Sequence, residues 1–192
     1  MVHSVSRVLV AVTALVVTGA GAAHGQELSY ADSASDVHVI QADDSTTLHG
    51  DMVNTDVRSV RIDHGNRKIR AKFAFTDLAR TGQVFITALS VRTSDRRRFR
   101  VVVDALNAWR GRSVLVTWNG REIECDSMRH AIDYDANTVK VSMRTDCLAE
   151  PRWVQVGLLA ASTPDGTTVY VDDAQHADFP ARSTWSSKVR RG

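Results

Sequence analysis

Beyond residue 25 the chain alternates apolar and polar positions with a period of two, and no stretch sustains a helical 3.6-residue period. Ile69, Ala71, Phe73 and Phe75 alternate with Arg70, Lys72, Ala74 and Thr76. Val139, Val141 and Met143 alternate in the same way with Lys140, Ser142 and Arg144. Shorter runs of the same kind are Phe99-Val101-Val103, Val114-Val116-Trp118, Val154-Val156-Leu158 and Val169-Val171. Successive side chains on a strand point to opposite faces, so this is the pattern of half-buried antiparallel strands. It predicts Phe73 and Phe75 inside, Arg70 and Lys72 outside, and Trp118 in the core. Asn119-Gly120 between two such runs is a strong hairpin signal. Gly65-Asn66, Asp135-Ala136-Asn137 and Pro164-Asp165-Gly166 are further turns. Strands recurring about every ten residues predict an all-β fold, an antiparallel β-sandwich of jelly-roll or immunoglobulin-like type. Helical turns are expected only over 77–81, 106–109 and 147–150.

The first 25 residues break this pattern. Residues 1–7 are short and carry one positive charge, 8–17 are apolar, and 18–25 are rich in small residues with cleavage points after Ala22 or Gly25. That is the layout of a secretory signal peptide. The apolar stretch is too short for the roughly 20 residues of a membrane span, and no later segment supplies one. The expected organisation is a signal peptide over 1–25, one β-sandwich domain over 26–180 and a basic tail over 181–192. Residues 180–192 and the first twenty or so after cleavage are the expected loose ends. The expected location is extracellular, with no transmembrane segment in the mature chain.

Charge is nearly balanced in total, which argues against nucleic acid as a partner. Along the chain it is uneven. Residues 26–56 hold seven acids and no Lys or Arg, whereas 57–100 hold twelve Lys or Arg against three acids. Either the acidic segment lies against basic strands, or a basic patch is left for anionic glycans or envelope polymers. The two cysteines, Cys125 and Cys147, read as one disulfide in an exported chain. Closing a loop of that length is worth about 3 kcal/mol on the chain-entropy model.

Catalytic signatures are missing from the sequence. There is no GxSxG elbow, no HExxH and no phosphate-cradling glycine loop, and the histidines after residue 25 are scattered singly. Two other chemistries have candidates. Asp172 and Asp173, with Asp36, Asp43 or Asp44 from the acidic segment, could supply the hard oxygen ligands of a structural Ca²⁺; otherwise these acids are solvated or paired with arginines. Trp109, Tyr134 and Trp153, with Trp185, are the aromatics available for stacking on a sugar ring; core packing is the alternative use. No other cofactor is expected.

The Asp-rich early segment, the double strand VRSVRIDHGNRKIRAKFAFTDL, the late CLAEPRWVQVG element and the VDDA element before a basic tail resemble small secreted actinobacterial proteins. The β pattern is also loosely similar to carbohydrate-binding and DOMON-like sandwich modules. These resemblances imply a sandwich fold and export; neither a haem-ligating pair nor a defined sugar site carries over. The expected function is a secreted, non-catalytic binding or accessory module for glycans or envelope polymers. A structural or protein-interaction domain without a small ligand is the alternative, and an enzyme comes third.

Overall fold

A computed structural model of the chain describes residues 26–192 apart from 42, 44, 107 and 177–184. The expected signal peptide therefore lies outside the described residues. Fourteen strands and one 3₁₀ turn are described, and every strand pairing is antiparallel. The smaller sheet runs in the order β1 (Gln26–Ala31), β4 (Val57–His64), β5 (Lys68–Phe75), β11 (Thr138–Arg144), β10 (Arg129–Asp133). The larger runs β3 (Thr46–Leu48), β2 (His38–Ile40), β13 (Val169–Asp173), β12 (Trp153–Thr163), β6 (Val84–Thr93), β7 (Arg98–Asp104), β8 (Arg112–Thr117), β9 (Glu122–Ile123). A short β14 (Val189–Arg190) pairs with the start of β12. The chain is all-β, and the expected helical turns reduce to a 3₁₀ turn over Thr145–Leu148.

One core joins the two sheets. Ile62, Ile69, Phe73, Val139 and Met143 come from the smaller sheet, and Phe85, Leu89, Val101, Leu115 and Leu158 from the larger. Phe75 meets Phe85 edge to face across the interface, with ring centroids 5.5 Å apart. Period two thus assigns the faces of β5, β7, β11 and β12 correctly.

It fails on β8. Register with β7 sets Leu115 opposite Val101 in the core, so Val114 and Val116 face outward opposite Val102 and Arg100. Trp118, expected inside, is 41% exposed. The cause is a run of three apolar residues, Val114-Leu115-Val116, which fits either face.

A tight hairpin forms at Asn119-Gly120, where only Gly120 takes a left-handed φ, +84°. Gly120 donates its N–H to Thr117 O, and Thr117 donates to Arg121 O.

The chain's end is built in rather than loose. Val189 is buried, Arg190 N–H donates to Gln26 Oε1, and Gly192 N–H donates to His64 O. His64 is fully buried with Nδ1 3.0 Å from Val189 O. Burial, reinforced by the nearby Arg191 charge and opposed by the Val189 hydrogen bond and by Asp63, holds the His64 pKa below its usual value. A depressed His pKa means that the folded state binds fewer protons than the unfolded chain. Its contribution is therefore present above the unfolded pKa of about 6.5 and lost as pH falls through the lower folded value. The expected result is that Val189 and Gly192 amide resonances shift and broaden in step with His64 protonation below that pH, and that His64→Gln removes the step.

Candidate functional site

Because β5 and β11 turn their apolar sides to the core, their basic residues line the outer face of the smaller sheet. Strand register arranges them in two rows. One row runs Ser29, Arg61, Lys72, Lys140, Ala131, and the next Glu27, Asp63, Arg70, Ser142, Arg129. All of them but Ser29 line a shallow concavity of about 480 Å³.

Neutralisation across this face is partial. Arg61 pairs with Glu27 at 2.6 Å and Arg70 with Asp63 at 2.8 Å, all of them exposed or half-exposed. Lys72 and Lys140 stand directly opposite each other on neighbouring strands. Among the described residues no carboxylate forms an ion pair with either, or with Arg129. Like charges directly opposed on a sheet repel. Arg129 is fixed by donating Nη1 hydrogen bonds of 2.7 Å to the carbonyls of Asp126 and Met128. The face therefore presents a central cationic pair with a third cation at its edge. Among the described residues of the acidic N-terminal segment only Glu27 reaches it in an ion pair.

Several carboxylates converge at the junction of the sheets. One carboxylate oxygen each from Asp32, Asp36 and Asp172 lies within 4.8 Å of the others. Asp32 follows β1, Asp36 precedes β2, and Asp172 points inward from β13 opposite Ala160. Asp36 is 6% exposed and Asp172 fully buried. Asp172 Oδ2 accepts a 2.6 Å hydrogen bond from Val57 N–H, but its Oδ1, both oxygens of Asp36, Asp32 Oδ2 and the Tyr30 hydroxyl have no hydrogen-bond partner among the described residues. Asp56 is adjacent but satisfied, accepting from Ser35 N–H and the Thr76 hydroxyl. Burial, then repulsion from Asp36, pushes the Asp32 pKa up to about 7. Burial, with repulsion from Asp32, Asp36 and Asp56, pushes Asp172 up to about 8 against the lowering effect of the Val57 bond.

Of the acids singled out in the sequence, the structure brings Asp36 and Asp172 together. Asp173 is their neighbour, its pKa raised by burial while its carboxylate accepts from Gln175 N–H. Asp43 sits in the exposed β2–β3 turn, where it accepts from Ser45 N–H and Oγ. Asp44 lies outside the described residues. Asp32 was not foreseen, since nothing local separates it from the other acids of its segment.

The aromatics do not form a common platform. Trp109 and Tyr134 meet edge to face at 90°, Tyr134 donates its hydroxyl to Trp109 O, and both pack against the core. Trp153 starts β12 at the other end of the sandwich, with the Lys188 ammonium 4.6 Å from its ring centroid. Among the described residues the exposed aromatic is Trp118, 6.5 Å from Trp185 and flanked by Arg98 and Arg100.

Cys125 and Cys147 are bonded, with Cα atoms 5.6 Å apart. The bridge ties the β9–β10 connection to the 3₁₀ turn after β11, so it links the path out of the larger sheet to the smaller one.

No protein-family model matches the chain, and no curated protein matches it.

Proposed function

We propose that this chain is a secreted, non-catalytic binding module that holds an anionic glycan or envelope polymer across the outer face of its smaller sheet. The observation that carries this reading is the Lys72–Lys140 opposition: two exposed ammonium groups with no acid partner among the described residues, at the centre of a concave face. An anionic group set between them replaces a repulsion by two charge-assisted contacts. Arg61, Arg70 and Arg129 extend the cationic surface on either side. A flexible polymer bearing carboxylate, sulfate or phosphate groups can occupy such a face without a deep pocket. The disulfide is consistent with an oxidising, extracellular setting.

The test is titration with heparin as a sulfated glycan and polyglycerol phosphate as a phosphate polymer, against a neutral glucan. Exposed contacts of this kind are screened by salt, so affinity should fall steeply between 50 and 300 mM NaCl. The double variant Lys72→Gln/Lys140→Gln should weaken polyanion binding about tenfold or more, roughly 1.4 kcal/mol. Its thermal stability should be unchanged or slightly raised, because the repulsion goes with the charges.

The exposure of Trp118 beside Trp185 favours a second reading, a neutral glycan stacked at the β8–β9 hairpin. It predicts that the neutral glucan binds and that Trp118→Ala abolishes this, with the lysine variant unaffected.

A further inference from the structure

We infer that Asp32, Asp36 and Asp172 form a buried Ca²⁺ site where the end of β1, the approach to β2 and the inner side of β13 meet. Carboxylates withdrawn from water are found paired, hydrogen-bonded, on a metal or, failing these, neutralised by a raised pKa. Here the first two solutions are largely missing. Among the described residues no Lys or Arg forms an ion pair with any of the three. Among the described residues both oxygens of Asp36, itself 94% buried, lack a hydrogen-bond partner, and so does Asp172 Oδ1.

Asp56 and Asp173 add negative charge nearby, and the Arg58 and His38 charges that act on Asp36 do not overcome the effect of its burial. A divalent ion would answer all these groups at once. Ca²⁺–oxygen distances of about 2.3–2.6 Å place ligands on opposite sides of the ion up to about 5 Å apart. The 4.8 Å limit on the carboxylate separations fits that span. The unpartnered Tyr30 hydroxyl is a further oxygen at the same place.

The donor chemistry selects the ion. The three grouped ligands are all carboxylate oxygens, which suits Ca²⁺ rather than the nitrogen- and sulfur-seeking Zn²⁺. Mg²⁺ usually keeps several of its waters, and the buried Asp36 and Asp172 leave little space for them. A cleft of about 290 Å³ lined by Tyr30, Asp32, Ser33, Gln175 and His176 opens on Asp32 and gives the ion a route in. Occupancy would pin β1 and β2 to β13, joining the N-terminal segment to both sheets. This inference is independent of the polymer site on the other face of the smaller sheet.

The experiment compares the purified full chain in EDTA, CaCl₂ and MgCl₂ by thermal unfolding, and follows Tb³⁺ emission sensitised through Tyr30. One Ca²⁺ per chain is expected. At a hundredfold excess over Kd the melting temperature should rise on the order of 5–10 °C, with a smaller response to Mg²⁺. Asp36→Asn should abolish both the Ca²⁺ response and the Tb³⁺ signal while melting no lower than wild type in EDTA, because one buried charge has gone. Asp32→Asn, at the cleft, should do the same and serves if Asp36→Asn does not fold. Equal melting temperatures in EDTA and CaCl₂ with no Tb³⁺ emission would overturn the inference, as would a full Ca²⁺ response in both variants.

Discussion

Phe73→Ala is expected to destabilise the fold by about 3–5 kcal/mol, the cost of deleting a fully buried aromatic and leaving a cavity. Phe73 on β5 sits between Val60 on β4 and Val139 on β11, both fully buried. Its neighbours are held in a two-sided core and have little freedom to collapse into the space. For a domain of this size the loss should lower the melting temperature by on the order of 10 °C. Lys72→Ala, one residue away but outside, should change it little. A fall of only a degree or two for Phe73→Ala would mean that β5 presents its other face to the core.

Cys125→Ser is expected to cost about 2–4 kcal/mol through the loss of the constraint on the unfolded chain. The bridge reinforces the crossing from the larger sheet to the smaller. Ser127 helps: its hydroxyl lies 3.4 Å from Cys147 Sγ and accepts from Arg144 N–H, so the connection remains anchored to β11 when the bond is lost. The variant should therefore fold at low temperature and keep its polyanion binding. In wild-type protein unfolded without reductant, a thiol reagent should label neither cysteine. Labelling of both would contradict the bond.

Much of the sandwich was legible because its longest strands carry unambiguous alternation. Ile69 to Phe75 and Val139 to Met143 each place large apolar groups on one side and charges on the other, so only one orientation buries the former. The disulfide was legible from an isolated pair. β8 was not, because Val114-Leu115-Val116 satisfies either face and the pairing with β7 decides. β14 was missed because two residues show no period, and the packing of Val189 and the His64 contact supply the reason for its place.

The sites were less legible than the fold. The excess of basic residues over 57–100 was plain, but Lys140 lies outside that stretch and meets Lys72 only through the β5–β11 register. Likewise the acidic segment was conspicuous, yet only the fold distinguishes Asp36, which is buried beside Asp172, from Asp43, which caps an exposed turn. Trp118 was assigned to the core by the same local reading that reversed β8.

The most direct test of the polymer-binding face is amide chemical-shift mapping with a short sulfated heparin oligosaccharide at low salt. The account predicts that the largest shifts cluster at Arg61, Arg70, Lys72, Lys140 and Arg129 on the smaller sheet and disappear in Lys72→Gln/Lys140→Gln. Shifts confined to the β8–β9 hairpin around Trp118, or none on β5 and β11 at saturation, would contradict it.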